Sequence, residues 1–450
     1  MVSEFRSRWE RLDLIRREKF DIVLPKALRE NQVDMWIHSM KLGNPDPLFK
    51  DLGIGFTLLS PQPYDGSSVY FIFTDRGSDR IERAVIGAEA LYGDGGYDII
   101  LEEGDLRQFV AERTPQRIAI NMSGFFAVAD SISHMEYLKL TEVLGEPYAS
   151  RLVSAEHVIS DFRGRRVIRE IVEYGQLGET TRRLIERALS NEIITPDVTT
   201  LEDVAWWIKD QILTLGIEPI FERLFMPKIL YSTQSDMVAT TSRQYVFRRG
   251  DLFQYDFGFG AMNLGSDIKR TAYILPRGET AVPPGVQHAW DEGLRARQAL
   301  RDSIKVGRTA GETGKIIGRN FEAAGFVFVN LTGDPAFSGG WEAVWQQALD
   351  ARGMKPEDAH KTQVSTDCHC VGNTGDSEIE AGPSISGFRQ GTAHLMIKPN
   401  HLFAFELFAD TAIPEWDGTR VRFGIEDNAI VTEDGVQYLY PPNNRILLIH

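Results

Sequence analysis

Acidic residues lie within several segments of this sequence that otherwise read as apolar β-strands. Asp256 and Asp267 are eleven residues apart on two such segments, which we interpret as paired strands with an irregular turn at 260–264. Glu406 interrupts a third segment, and Glu426 lies on a fourth. A lone carboxylate is costly to bury, whereas a divalent cation would compensate that cost. The simpler alternative is that the two Asp lie at strand ends and face water, and their spacing alone leaves both interpretations open.

Composition excludes several classes of protein. The chain has 450 residues, 49 basic and 64 acidic, and a formal net charge of −15. This length predicts two or three domains, and the acidic excess argues against a nucleic-acid binder while it suits a protein that holds cations. Two Cys cannot form a disulfide scaffold or a four-cysteine zinc site. We find no signal peptide or membrane-spanning segment, so we expect a cytoplasmic protein with reduced cysteines and no membrane partner.

The order of predicted elements indicates two domains. Helices and short strands alternate over residues 1–160, which predicts an α/β domain, and residues 161–450 follow an α+β pattern with an antiparallel sheet. Thr200 is a candidate N-cap, with Asp203 three residues later. The predicted helices are 9–31, 106–113, 130–144, 165–194 (one helix or a pair), 200–215, 286–304 and 311–324. The predicted strands of the first domain are 34–37, 70–74, 83–87 and 117–121.

His369 lies in a strand-like segment, between two cysteines. A single His is more often an ordinary core or surface residue than a metal ligand. Neighbours in a strand point to opposite faces, so Cys368 and Cys370 are expected to point away from the His369 side and to pack in the core. An oxidisable pair is the sharper alternative, but residues two apart on a strand cannot easily form an unstrained disulfide.

Taken in order, these positions resemble the pita-bread metallohydrolase superfamily, which includes Xaa-Pro aminopeptidase, prolidase, methionine aminopeptidase and creatinase. That family has an Asp in a D-F-G strand, an Asp in S-D-x-x-R-T, a His in H-x-x-G, a Glu in an apolar strand and a Glu in R-x-E-D. The matching residues of this chain are Asp256, Asp267, His369, Glu406 and Glu426. The last motif differs slightly, because Phe423 and Gly424 separate Arg422 from the Ile-Glu-Asp run.

The resemblance implies a fold and a metal centre. The fold is α+β, with a C-terminal pita-bread domain preceded by an α/β creatinase-type N-terminal domain, and creatinase-type enzymes are dimers. Asp256 would chelate the first of two divalent ions, and Asp267 and Glu426 would bridge both. His369 and Glu406 would complete the second site, and Glu406 would accept the proton of a metal-bridging water. Four carboxylates offset two dications, and this ligand set suits Mn²⁺, Fe²⁺ or Co²⁺, with Zn²⁺ possible.

The sequence departs from the peptidases of this family at two positions. The peptidases carry one further His before the first Asp strand and another after the ligand His. Here the corresponding regions, 238–245 and 377–383, contain no His. Glu380 or Glu378 could serve as a substitute acid or bind a cationic group of the substrate, and the alternative is that both are solvated loop acids.

The leading hypothesis for the function is a dinuclear-metal hydrolase of the Xaa-Pro aminopeptidase or dipeptidase type. It would cleave an amide bond of a small peptide or peptide-like substrate. Two alternatives remain open because the additional His residues are missing. One is a creatinase-like or lyase-like metalloenzyme that acts on a small non-peptide substrate. The other is a scaffold that kept the fold and lost peptidase activity.

Overall fold

The computed structural model describes residues 4–41, 44–53, 68–87, 96–124, 126–219, 225–233, 242–333, 335, 338–371, 373 and 382–450. The chain forms two compact units, one of residues 1–171 with 372–381 and one of residues 172–371 with 382–450. Within the described ranges, no helix has the length and apolar character needed to cross a membrane.

The first unit contains a six-stranded mixed sheet in the order β4-β3-β2-β1-β5-β6. Its strands are β1 (Met35–Lys41), β2 (Ser68–Thr74), β3 (Glu82–Ile86), β4 (Ile99–Leu101), β5 (Ile118–Ile120) and β6 (Leu152–Ser154). Its helices are α1 (Glu4–Ile22), α2 (Leu24–Glu30), α3 (Phe49–Leu52), α4 (Leu106–Arg113), α5 (His134–Leu144) and α6 (Glu156–Gly164).

Both faces of this sheet are apolar and covered. Trp36 and Phe73 pack in a core with residues of α1, α2 and α6. Their strand neighbours Ile37 and Ile72 pack in a second core with residues of α4 and α5. Successive strand residues point to opposite faces, so continuous apolar runs such as β2 fill both cores. The predicted α/β pattern of this region is therefore present.

The predicted helix over residues 9–31 is wrong in one respect, because it is two helices. α1 ends at Ile22, and α2 begins at Leu24 with Pro25 in its first turn. Proline has no backbone N–H and clashes with the preceding turn, so it is tolerated at a helix start and breaks a helix interior. The apolar spacing of the sequence continues across this proline and does not reveal the break.

A buried ion network lies in the first unit at Lys19 of α1. The Nζ atom of Lys19 donates to Glu170 Oε1 and to the carbonyl of Arg163, each at 3.3 Å. Arg166 Nη1 reaches the same Glu170 oxygen at 3.1 Å. Burial, only partly offset by Glu170, lowers the pKa of Lys19 to about 8. The folded chain therefore releases this proton at a lower pH than the unfolded chain does.

Lys19→Met is expected to change how stability depends on pH. Between pH 8 and 10.5 the unfolded lysine keeps a proton that the folded one has released, so this group makes the wild type more stable as pH rises. As the pH rises through this range, the unfolding free energy of the wild type should therefore increase by up to about 3 kcal/mol relative to that of the Lys19→Met variant. Urea denaturation at several pH values measures the difference. If the difference between wild type and Lys19→Met did not change with pH, as expected for the exposed Lys26→Met control, the lowered pKa of Lys19 would be contradicted.

The second unit begins within helix α7 (Ile168–Ala188), after residue 171. Its other helices are α8 (Leu201–Leu215), α9 (Pro284–Ser303), α10 (Ala310–Ala323) and α11 (Trp341–Arg352). Its strands are β7 (Glu218–Pro219), β8 (Lys228–Tyr231), β9 (Leu252–Phe257), β10 (Phe259–Ala261), β11 (Leu264–Gly265), β12 (Ile268–Ile274), β13 (Val327–Phe328), β14 (Gln363–Cys370), β15 (Ser384–Ser386), β16 (His401–Ile413), β17 (Thr419–Thr432), β18 (Gly435–Tyr438) and β19 (Leu447–Ile449). The predicted N-cap of α8 is confirmed, because Thr200 and Asp203 form a reciprocal capping box.

The largest sheet of this unit has the order β13-β14-β16-β17-β18, with β15 paired to β14. Helix α9 covers one face: the rings of Trp290 and Phe423 lie 5.5 Å apart, and a Cβ on Gly293 would meet Ile425 at 2.6 Å. Because strand residues alternate, Gly424 and Glu426 of β17 point to the opposite face. That face is turned towards the second sheet of the unit, which has the order β19-β12-β9-β8.

Strands β9 and β12 belong to one long hairpin whose tip is β10 and β11. The segment predicted as an irregular turn is a two-residue turn at Met262 and Asn263, which have φ angles of 48° and 65°. Positive φ at both central residues suits the right-handed twist of a hairpin. The strand pairing is symmetric about this turn, from the pair Ala261 and Leu264 beside it to the pair Leu252 and Tyr273 at the far end. The turn therefore fixes which residue of β12 lies opposite each residue of β9.

Candidate metal centre

The large sheet presents three of the expected ligands on one face. Glu406 of β16 and Glu426 of β17 are direct cross-strand partners, so their side chains point the same way. His369 of β14 lies opposite Ala404, which is two residues before Glu406 on the same strand. The antiparallel register thus brings the imidazole and both glutamates to one side of the sheet, away from α9.

The hairpin supplies the two aspartates from the facing sheet. Asp267 immediately precedes β12, and Asp256 lies on β9 opposite Lys269. The two sheets are joined beside the site, since the backbone N–H of Asp267 donates to Asn428 Oδ1 at 3.1 Å. All five residues that the sequence predicts as ligands therefore converge on the space between the sheets.

Three of these residues form a compact set of donor atoms. Asp267, His369 and Glu426 each offer one ligand atom, and these atoms lie within 4.8 Å of one another. The residues are 2%, 1% and 0% exposed. The Nε2 atom of His369 lies 3.9 Å from Asp267 Oδ2, and Glu426 Oε1 is buried with no hydrogen-bond partner among the described residues. One imidazole and two carboxylates in this arrangement fit a single divalent cation.

Lys269 occupies the other part of the cluster. Its Nζ atom lies 2.6 Å from Glu406 Oε1, 2.5 Å from Glu426 Oε2 and 3.0 Å from Asp256 Oδ2. Sequence reasoning missed this residue, because Lys269 is at a variable position of the S-D-x-x-R-T motif. Its spacing from Asp267 could have identified it, because residues 267 and 269 of a strand lie on the same face.

Asp256 differs from the other acids in its exposure. Its side chain is 43% exposed, compared with 5% for Glu406 and 0% for Glu426. Of the two interpretations of Asp256, the exposed one describes this carboxylate, because water reaches it at the end of β9. Asp256 marks the solvent side of the cluster.

The buried groups have strongly perturbed pKa values. Burial, with further contributions from Glu426 for Glu406 and from Asp267 for Glu426, raises the pKa of both glutamates well above the usual range. Burial opposes the charge of Lys269, but the surrounding carboxylates outweigh it and raise the pKa of this amine. Burial, followed by the nearby Arg389, lowers the pKa of His369 to about 4. The imidazole is therefore neutral at pH 7, which is the form that binds metals.

Arg389 reaches the neighbourhood of the site through a further acid that sequence reasoning missed. Asp367 lies two residues before His369 on β14 and thus on the same face. Arg389 binds it with both arms of the guanidinium, at 2.7 and 2.8 Å. This bidentate ion pair neutralises Asp367, so it borders the cluster without adding net charge.

The two cysteines beside His369 are buried and form no disulfide, in agreement with the packing interpretation. The predicted acids Glu380 and Glu378 lie outside the described residues. The described part of the region before β9, from Ser242 to Tyr245, contains no His and agrees with the departure noted in the sequence.

Residues 173–433 match the model of metallopeptidase family M24. The chain belongs to this family. The X-Pro aminopeptidase from Thermotoga maritima MSB8 is similar in structure, with 15% identity, a TM-score of 0.58 and coverage of 94% of this chain and 99% of that one. The Xaa-Pro dipeptidase from Bacillus anthracis has 13% identity, a TM-score of 0.55 and coverage of 97% and 99%. The prolidase from Pyrococcus horikoshii OT3 has 15% identity, a TM-score of 0.54 and coverage of 96% and 100%. No curated protein sequence matches the chain.

These likenesses confirm the predicted α+β fold, in which a pita-bread domain follows an α/β creatinase-type domain. M24 enzymes depend on a dinuclear metal centre. In this M24 chain the residues fit one cation at Asp267, His369 and Glu426. The remaining pair, Asp256 and Glu406, surrounds the amine of Lys269.

Proposed function

We propose that this chain is a metal-dependent hydrolase that cleaves an amide bond of a small peptide or peptide-like substrate. The single observation that carries the proposal is the set of donor atoms of Asp267, His369 and Glu426, buried and within 4.8 Å of one another. Membership of family M24 supports the same reaction class. A structural protein has no need for three converging, buried metal-ligating side chains.

The chemistry of the donors limits the ion. Carboxylate oxygens with one imidazole nitrogen suit Mn²⁺, Fe²⁺ or Co²⁺, and Zn²⁺ is also possible. When bound, such an ion would polarise the scissile carbonyl and lower the pKa of a water molecule. Burial lowers the pKa of His369 to about 4, so its imidazole is neutral at pH 7, which is the form that binds metals.

Glu406 is our candidate for the proton acceptor. It is buried next to the donor set, and its raised pKa makes it a stronger base than a solvated carboxylate. Lys269 Nζ donates to Glu406 Oε1 at 2.6 Å, which holds the carboxylate in one orientation. Glu380 remains a proposed second acid or substrate-binding group, by analogy with the family position that carries a His.

A second candidate function is a creatinase-like or lyase-like reaction on a small non-peptide substrate. Two observations favour it over standard peptide cleavage. The described residues before β9 lack the imidazole that the peptidases use, and loss of such a group costs about 10²–10⁴-fold in rate. Lys269 also places an amine inside the carboxylate cluster, where it reaches three of the expected metal ligands, Asp256, Glu406 and Glu426.

An activity screen distinguishes the two. The purified chain, stripped with a chelator and reloaded separately with Mn²⁺, Co²⁺, Fe²⁺ or Zn²⁺, should hydrolyse Xaa-Pro dipeptides or peptides with an N-terminal Xaa-Pro. Turnover should disappear on chelation and return on reloading. Bound metal with no turnover of any peptide would favour the second candidate, whose test is a panel of small non-peptide amides. A chain that binds none of the four ions would contradict both.

A further inference from the structure

Lys269 places its amine where three carboxylates meet. Its Nζ atom is 2.5 to 3.0 Å from oxygens of Asp256, Glu406 and Glu426. The contacts come from three different strands, β9, β16 and β17. An amine that meets three carboxylates in this way occupies the centre of the group rather than its edge.

The surrounding chain has room for the stem of this lysine. A Cβ on Gly424 would lie 3.0 Å from Lys269 Cδ and 2.7 Å from Gln254 Nε2. Gln254 is itself fixed to Gly424, with its amide bonded to the carbonyl at 3.0 Å and to the N–H at 3.1 Å. The ring of Phe408 lies 6.0 Å from the Nζ atom. Gly424, which departs from the family motif, is thus the residue that leaves space for the lysine stem.

We propose that the amine of Lys269 takes the place of one cation of the dinuclear M24 centre. The chain then binds one divalent ion, at Asp267, His369 and Glu426. This inference rests on the proposed metal-dependent function. The cluster has four carboxylates, so one dication with one ammonium leaves it with a net charge of −1, and two dications with the ammonium would leave it with +1. Net charge alone therefore does not separate the two states, and the oxygens that Lys269 already holds decide between them.

A second ion and the lysine compete for the same oxygens. An ammonium group has three donors and no lone pair, so it cannot join the coordination of a metal. A dication bound to Asp256 and Glu406 would lie within a few ångström of the Nζ atom. Repulsion at that distance is on the order of several kcal/mol even with strong screening. Either the lysine or the second ion holds these carboxylates.

The number of bound ions tests this inference. The stripped chain is titrated calorimetrically with Mn²⁺, and the metal retained after desalting is measured by mass spectrometry. We expect one ion per chain for the wild type and two for Lys269→Met and Lys269→Gln, because both variants free Asp256 and Glu406. Lys228→Met is the matched control, since Lys228 lies exposed on the neighbouring strand β8, and it should bind one ion.

The possible results separate this inference from the proposed function. Two ions in the wild type would overturn the inference and leave metal-dependent hydrolysis intact. One ion in the wild type and in both Lys269 variants would also overturn it. No ion in any of the chains would contradict the function and the inference together. The wild-type titration can overturn the inference even if the Lys269 variants fail to fold, because two bound ions in the wild type contradict it.

Discussion

His369→Ala is expected to abolish metal binding and hydrolysis together. The imidazole is the only nitrogen donor in the set formed with Asp267 and Glu426. Loss of a group that merely supports a metal ligand costs about 10–100-fold in affinity, so loss of the ligand itself should cost on the order of 100-fold or more. Activity should fall at least as far, because the remaining two carboxylates cannot hold the ion in place. Metal analysis after dialysis and kcat/KM with a saturating ion measure both effects.

His401→Ala is the matched control for this prediction. His401 is also a buried histidine of the large sheet, at the start of β16. It lies outside the donor set, and its Nδ1 accepts the backbone N–H of Lys398 at 3.3 Å. We expect His401→Ala to lower stability while it keeps the bound ion. Retained metal and activity in a folded His369→Ala chain would contradict the proposed centre.

Most helices and strands could be predicted from the sequence because their signals are local. The helix over 106–113 has the predicted bounds, and the helix after Thr200 begins at its capping box. The failures also have local causes. Pro25 splits the first helix, and the turn at Met262 and Asn263 lacks the Gly that usually marks positive φ. A Met at φ 48° carries no sequence signal for a tight hairpin.

The site could be predicted only in part. Sequence motifs identify the ligands, whereas the position of Lys269 depends on how β9 pairs with β12. Sequence order was sufficient to select Asp267, His369 and Glu426, which the fold brings together. The position of Lys269 depends on which residue lies opposite it, and that follows from the exact turn. With the turn placed at Met262 and Asn263, Lys269 pairs with Asp256 and must share its face. The irregular turn that the sequence predicts at 260–264 does not define which residues of β9 and β12 are paired, so it could not place Lys269 beside Asp256.

A second motif residue of the hairpin has a structural role that the sequence left unassigned. Arg270 follows Lys269 and points to the opposite face of β12, where its Nη2 atom lies 2.8 Å from Asp427 Oδ1. Both side chains are 1% exposed. Asp427 follows the ligand Glu426 on β17, and Arg270 lies on β12 close to the ligand Asp267. This ion pair therefore joins two strands of different sheets that both position metal ligands. The Arg of S-D-x-x-R-T and the Asp of R-x-E-D are therefore partners.

Arg270→Leu is expected to destabilise the second unit by up to about 3–5 kcal/mol, because it removes the 2.8 Å partner of the buried Asp427 carboxylate and leaves it only the more distant Arg297, at 3.9 Å. Burial already raises the pKa of Asp427. Arg183→Leu breaks an exposed ion pair with Glu179 on α7 and should cost less than about 1 kcal/mol. Urea denaturation of the three chains, in the absence of metal, measures these differences.

The double variant Arg270→Leu with Asp427→Asn separates charge from packing. An asparagine oxygen can still accept the backbone N–H of Asn443, which now donates to Asp427 Oδ2 at 2.7 Å. If the buried charge of Asp427 causes the loss of unfolding free energy, the double variant should recover a large part of it. Equal losses in the single and double variants would instead assign the effect to the packing of the Arg270 stem. Recovery of stability should also restore metal binding, because the strands joined by this pair carry Asp267 and Glu426.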